Sequence, residues 1–385
     1  MEIKPTRSQR LLSLDFFRGL TVAAMILVNN PGSWTHIYPP LGHAEWHGCT
    51  PTDLVFPFFL FIVGVSIAYA MGSKREDQTT HGKTIWKASK RALTLFFLGF
   101  ILAFFPRNFS DFNFIESLKT VRIPGVLQRI AVVFLISSIL FLKLNDKRLF
   151  QTIVVLLFGY WALMNFVPVP DFGPANLEKE TNLGAWLDRT ILTEAHLWKS
   201  AKTWDPEGIL STLPAIGTCL IGVLVGTYLK KKNVEPATKI AWLFSAGTLM
   251  FIGGLIWDLQ FPINKSLWTS SYVLYTGGLA TVILSLSYWL IDVNQYNRFT
   301  KPFVVYGVNA ITVFFLSGLM PRLLNMIKID FEGEKIGALN YVNKAFFANS
   351  FANPLNGSLA YAIAFVLFWY VILWIMYKRN IIIKV

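Results

Sequence analysis

This sequence is poor in charge and nearly devoid of cysteine. Lys, Arg, Asp and Glu make up 15% of its 385 residues, where a soluble domain carries about 25%. That shortage excludes a surface built to face water on all sides. The two cysteines, Cys49 and Cys219, exclude a disulfide framework, and neither sits in a metal-binding spacing. A P-loop, a dinucleotide fingerprint and a nucleophile elbow are all missing. So are a linker, a low-complexity tract and a convincing internal repeat, which leaves a single domain over 1–385.

What fills the chain instead is apolar. Hydrophobic residues reach 54%, with 33 Phe. A bilayer core about 30 Å thick needs a helix of roughly 20 such residues. Ten runs qualify, approximately 14–30, 53–72, 88–105, 124–142, 149–167, 209–229, 238–257, 271–291, 303–320 and 357–377. Within lipid each must satisfy its own backbone hydrogen bonds, so helix is the form open to it. The expected fold class is all-α, a polytopic integral membrane helical bundle of about ten transmembrane helices. Asp15 and Arg18 interrupt the first run and no small-x-small site follows before Pro31, so it is expected to stay as a helix rather than be cleaved as a signal peptide.

Long connections, 31–52, 106–123, 168–208, 258–270 and 321–356, all fall on one side. They are rich in Trp, Phe and Pro, a composition that packs, and are expected to form an ordered outer cap. The net charge of +13 comes mostly from the other side, around 4–10, 74–91, 143–148, 230–239, 298–301 and 378–384. The positive-inside rule then puts both termini in the cytoplasm. Basic residues that hug helix ends are a topology signal, and no nucleic-acid partner is expected.

Titratable groups crowd the lip of one apolar run, in "LGHAEWHGCTPTDLVFPFF" at 41–59. His43 can act as base and acid near neutrality, with Leu41, Ala44 and Trp46 keeping bulk water partly away. Asp53 has a structural explanation of its own, since Thr50, Pro51 and Asp53 read as N-cap, first helical residue and capping-box partner. Asp205, Pro206 and Glu207 in "WDPEGIL" repeat the device. His43, Glu45 and His47, with His36 nearby, raise a zinc alternative; alternate spacing does not readily converge on one ion, and no metal is expected. In the first helix Asp15 and Arg18 stand at i, i+3, either paired with each other or with Arg18 facing an anionic ligand. Asn29 and Asn30 end that helix with amide donors. Arg129 is buried in "GVLQRIAVV" and must find a carboxylate, a carbonyl or a phosphate. "FPINKSLWTSSY" offers Asn264, Lys265, Trp268 and Tyr272, the aromatics also fitting an interfacial belt, and Asn309 is helix glue or a ligand contact.

Five of these stretches, "LDFFRGLTVAAMILVNN", "GHAEWHGCTPTDLVFPFFLFIVGVSI", "RIPGVLQRIAVVF", "WDPEGILSTLPAIGTCLIGVLVG" and "FPINKSLWTSSYVLYTGG", together resemble the heparan-α-glucosaminide N-acetyltransferase family. The likeness runs from about residue 11 to beyond 315 and suggests a bacterial member of its N-acetylglucosamine-associated branch. The resemblance implies transfer of an acetyl group from cytosolic acetyl-coenzyme A to the amine of glucosamine on the far side of the membrane. It places the family's catalytic histidine on His43, its companion asparagine on Asn29 and its aspartate on Asp53. Coenzyme A is expected to meet Arg18, Arg129 and Asn309; the sugar is expected near Trp46, Glu207, Asn264, Lys265 and Trp268. The lysosomal member's large lumenal amino-terminal region has no counterpart in this sequence. A free amino sugar and a bacterial inner membrane are therefore expected, and the family suggests a homodimer.

His43 as general base would free the amine for attack, Asn29 would donate to the developing oxyanion, and Asp53 would orient the imidazole. Direct attack in a ternary complex needs only a base, whereas a ping-pong route would acetylate His43 itself. The rival from another class is an amino-sugar transporter, which buried Asp15, Arg18 and Arg129 would suit, although the repeated halves common in transporters are missing. A ligand-sensing receptor would need a signalling domain.

Overall fold

In the computed structural model, residues 11–105 and 113–383 are described. The basic residues Lys4, Arg7, Arg10 and Lys384 lie outside the described residues, as does 106–112 of the outer loops. Among the described residues, eight helices are long and apolar enough to cross a bilayer. They are α1 (Leu12–Asn29), α2 (Val55–Arg75), α5 (Val126–Lys143), α6 (Asp146–Phe166), α8 (Thr212–Leu229), α9 (Pro236–Asp258), α10 (Ser270–Ser287) and α14 (Pro354–Lys378). Each coincides with an expected run to within a few residues. Between them lie α3 (His81–Phe104), α4 (Phe114–Lys119), α7 (Leu183–Leu192), α11 (Lys301–Val308), α12 (Ala310–Leu324) and α13 (Ala338–Phe346). One antiparallel hairpin, β1 (Lys328–Phe331) with β2 (Glu334–Gly337), lies between α12 and α13 and packs against α13.

Two runs depart from a simple span. The run at 88–105 is the second half of α3, whose first half carries Lys83, Lys87, Lys90 and Arg91. The run at 303–320 is not one helix. α11 and α12 meet at 78°, because Asn309 between them leaves helical geometry and its amide serves another segment: Nδ2 donates to Ile381 O at 3.0 Å and Oδ1 accepts from Ile383 N at 2.9 Å. Asn309 thus ties down the chain after α14, the structural role that was one of its two expected readings.

α2 and α8 form the centre of the bundle, each with 72% of its most apolar window buried, against 17% for α9. Glycine permits the central contact. A Cβ on Gly64 would lie 1.9 Å from Cys219 O, and one on Gly222 would lie 2.0 Å from Phe61 O. At the rim, α9 touches α10 through Gly247, Gly254 and Gly278, where any Cβ would meet the facing helix backbone within 3 Å. Its other face leaves Trp242, Leu249 and Ile256 exposed, an apolar surface that a lipid environment matches and water does not. The chain is an integral membrane protein. At the end of the bundle opposite the long loops, Asp292 accepts from Leu12 N and Ser13 N at 3.0 Å each, an anion set on the positive end of α1.

The backbone contact between α2 and α8 yields a direct comparison. Gly222→Ala forces two helix backbones apart, and overpacking of this kind costs about 1–3 kcal/mol. Gly159→Ala meets nothing within 4 Å and replaces a poor helix former with the best one. Thermal unfolding in detergent is expected to show the first variant melting well below the parent and the second at or slightly above it.

Candidate active site

α2 is entered through a single 3-10 turn, Pro51–Leu54, and this turn builds the site. Thr50 and Asp53 form the reciprocal capping box that their spacing implies. Asp53 Oδ2 accepts from Thr50 N at 3.1 Å, Thr50 Oγ1 at 3.0 Å and Ala44 N at 3.0 Å. Its other oxygen lies 2.7 Å from His43 Nδ1. A carboxylate has no proton to give, so Nδ1–H donates, and in the neutral ring Nε2 then carries the lone pair. Asp53 is 1% exposed while the His43 side chain is 48% exposed. The acid is locked inside, and the imidazole stands at the rim.

A second loop closes over this pair. Gly48, at φ +100°, uses a backbone conformation that favours glycine, and its N–H donates to Ile263 O at 2.7 Å. That bond aligns 41–50 with the connection from α9 to α10. Tyr272, in the first turn of α10, donates its hydroxyl to Asp53 O at 2.5 Å. Lys265 then reaches the centre of the site, its Nζ 3.0 Å from His43 Nδ1, 3.4 Å from Nε2 and 3.4 Å from Asp53 Oδ1. Burial holds the Lys265 ammonium below the usual lysine range, with Asp53 and Glu207 opposing that shift. Burial also pushes the neighbouring Cys49 thiol up to about 12, so it stays neutral.

Beside this centre lies a cluster of acids. Arg122 holds Asp205 through Nε–Oδ2 at 2.8 Å and Nη2–Oδ1 at 2.5 Å, and Nη2 also binds Glu207. Burial works against the charge on Arg122, but Glu207 and Asp205 outweigh it and hold the guanidinium above its usual range. Asp188 accepts from Ile209 N at 2.8 Å and has no arginine fork. Burial, reinforced by Asp205, raises it to about 7 against the pull of the Ile209 N–H and Arg129. Asp188, Asp205, Trp46 and Trp204 line a cavity of about 20 Å³, room for one water.

The structure brings together His43, Asp53 and Lys265 from the expected set. Glu207 and Trp46 lie in the adjoining layer. Trp46 packs edge-on against Trp204 at 5.1 Å and donates Nε1–H to Leu177 O at 2.9 Å. Asn29 is exposed in the last turn of α1, while Asn30 turns back to Ile26 O.

Two residues expected at the sugar lie in the interior. Asn264 is fully buried, with Oδ1 accepting from Leu267 N at 2.8 Å. Trp268 is 1% exposed in the core rather than in an interfacial belt, its Nε1–H on Thr218 Oγ1 and Phe56 and Tyr272 edge-on to it. Both pin the loop that carries Lys265. The helix start expected at Pro206 is corrected: Asp205 is committed to Arg122, and α8 begins at Thr212.

Arg129 finds a carbonyl, as its burial requires. Nη2 donates to Gly208 O at 3.0 Å and to Ser211 Oγ, and the guanidinium lies over the Trp268 ring. It therefore stands at the end with the long loops, away from the basic end. Arg18 pairs with Asp15 at 3.1 Å and donates to Ser66 Oγ at 2.8 Å. His47 faces Asn264 Nδ2 at 3.4 Å, His36 lies beside Thr35, and Glu45 is exposed. Arg122 and Asp188 escape a reading of the sequence, because their partners are 83 and 21 residues away and no local spacing marks them.

The family model described as heparan-alpha-glucosaminide N-acetyltransferase, catalytic, matches residues 10–255. Heparan-alpha-glucosaminide N-acetyltransferase of Mus musculus is 29% identical over 361 residues, covering 81% of this chain and 54% of its own. The Homo sapiens protein of that name is 30% identical over 353 residues, covering 79% and 52%. The chain thus spans about half the length of these curated relatives.

Asp188 supplies a pH test. A carboxyl raised above its unfolded value stabilises the fold at low pH, and that contribution is lost as pH rises through the folded value, here about 7. The melting temperature of the parent is expected to fall by a few degrees between pH 5.5 and 8. Asp188→Asn keeps the acceptor for Ile209 N and cannot ionise, so its curve is expected to be flatter. Parallel curves would show that Asp188 is already ionised at pH 5.5.

Proposed function

The chain belongs to the heparan-alpha-glucosaminide N-acetyltransferase family, and on that premise we propose that it is a transmembrane acetyltransferase. It transfers acetyl from acetyl-coenzyme A to the amine of glucosamine or a terminal glucosaminide at the face that carries the long loops. One observation carries the reading: His43 is held through Nδ1 by a buried carboxylate, with its Nε2 lone pair at the rim. That is the arrangement a general base needs. The amine of an amino sugar is largely protonated near neutrality and must lose a proton before it can attack a thioester.

The roles follow from the placement. The amine binds as its free base, its extra proton left to solvent, and His43 takes the proton that the nitrogen loses on attack and passes it to the departing sulfur. Asp53 fixes the tautomer and supports the imidazolium once it forms. Asn29, exposed at the end of α1, donates its amide to the developing oxyanion, a contribution of the kind worth about 3–4 kcal/mol. Trp46 offers a ring face to the sugar, and Glu207 a carboxylate to its ammonium or hydroxyl groups.

Acetyl-coenzyme A supplies the thioester carbonyl. Its phosphates need cations at the opposite end, and the basic helix ends fit that need. Arg18 with Ser66 lies between α1 and α2 on that path. Both termini are then cytoplasmic, the membrane is the bacterial inner membrane, and attack is direct within a ternary complex. The break between α11 and α12 would suit an amino-sugar transporter, but Asn309 fills it with the chain after α14, which favours the enzyme.

Thiol release from acetyl-coenzyme A on addition of glucosamine, in detergent, tests the proposal. The parent is expected to turn over, and His43→Ala to lose about 10²–10⁴-fold in kcat while remaining folded and still binding coenzyme A. Equal turnover in both would remove His43 from the chemistry. Silence in the parent across several amino sugars, with uptake of labelled glucosamine into proteoliposomes, would establish transport instead.

A further inference from the structure

Lys265 is the one charged residue at the centre of the site that the chemistry above does not use, and its backbone is unusually well fixed. The residue before it, Asn264, is fully buried and holds Leu267 N. Trp268 N donates to Lys265 O at 3.1 Å, and Trp268 sits in the core at φ +53°. The bond from Gly48 to Ile263 O registers this loop against the one that carries His43. A long side chain on so rigid a base delivers its ammonium to one place, with Nζ against both ring nitrogens of His43 and 3.4 Å from Asp53 Oδ1.

Two charges of opposite sign therefore act on one imidazole. Asp53 alone would draw a proton onto the ring and hold it there as imidazolium, which cannot accept the proton of an amine. Nδ1 already donates to Asp53, so the acceptor left to Lys265 is Asp53 Oδ1, and its ammonium lies beside the ring rather than on the Nε2 lone pair. The remaining titratable groups nearby do not supply this cation. His47 faces Asn264, Glu45 is exposed, Cys49 is neutral, Tyr272 uses its hydroxyl on Asp53 O, and Glu207 is engaged by Arg122.

We propose that Lys265 is a positioning residue that keeps His43 available as a base. Its ammonium, beside the ring and Asp53 Oδ1, offsets the pull of Asp53 toward imidazolium and leaves the Nε2 lone pair to the acceptor amine. This rests on the acetyltransferase reading. In the step itself the amine nitrogen forms its bond to the acetyl carbon and gives a proton to Nε2. The carbon–sulfur bond breaks, and the thiolate takes that proton back. Lys265 neither gains nor loses one.

Histidine-selective ¹³Cε1 NMR titration of the full chain in detergent tests this without turnover. The sequence has 5 histidines, and the His43 signal is the one lost in His43→Gln. In Lys265→Met its midpoint is expected to move to higher pH by about one unit, and Lys265→Arg is expected to restore it. Lys265→Gln serves as a second neutral variant should the methionine form not fold. The acid limb of kcat/KM for thiol release is expected to move in the same direction. An unmoved midpoint in a folded neutral variant overturns the proposal, and so does an equal shift in Lys265→Arg. A parent that releases no thiol with any amino sugar would overturn the acetyltransferase reading, while the NMR titration still decides what Lys265 does to the ring.

Discussion

One carboxylate joins the membrane bundle to the chemistry. The two oxygens of Asp53 are divided between tasks, one closing the capping box at the start of α2 and the other holding His43. Neither task can be relaxed alone, because the N–H groups on Oδ2 fix the direction in which Oδ1 points. The orientation of the imidazole is thereby set by one of the two helices with the most buried spans. A catalytic group in a loop gains the rigidity of the core without being placed there.

The surrounding layers extend the same constraint. α8 packs on α2 at backbone distance through Gly64 and Gly222. α10 contributes the Tyr272 hydroxyl to the backbone of Asp53, and the loop before it contributes Lys265. Further out, Arg122 gathers Asp205 and Glu207, so that buried acids are compensated by a buried base. The site is thus held from three directions, by the entry to α2, the entry to α10 and the turns before α8.

Much of this is legible in the sequence because its signals are local. Apolar runs of about 20 residues locate the spans, and Thr50, Pro51 and Asp53 announce the cap within four residues. Lys265 and Glu207 stand out as charges beside apolar runs, although neither spacing nor composition says which atom each one touches. What the sequence leaves undecided also has a physical pattern. Asn264 and Trp268 look like ligand contacts because polar and aromatic residues in a loop suit either a sugar or a buried turn, and only packing separates the two. Asn309 looks like an intramembrane amide, but the run around it bends there to serve the chain after α14. Asp205 and Pro206 look like a helix start until Arg122, 83 residues earlier, claims the carboxylate.

The uneven burial of α9 bears on how such a chain can drift over generations. Its glycine stripe against α10 admits no side chain larger than hydrogen, whereas its opposite face is exposed and apolar. Outward positions can exchange Leu, Ile, Phe or Trp freely as long as they stay apolar. Two opposite faces of one helix therefore evolve under unlike rules, one limited by atomic volume and the other by solubility in hydrocarbon.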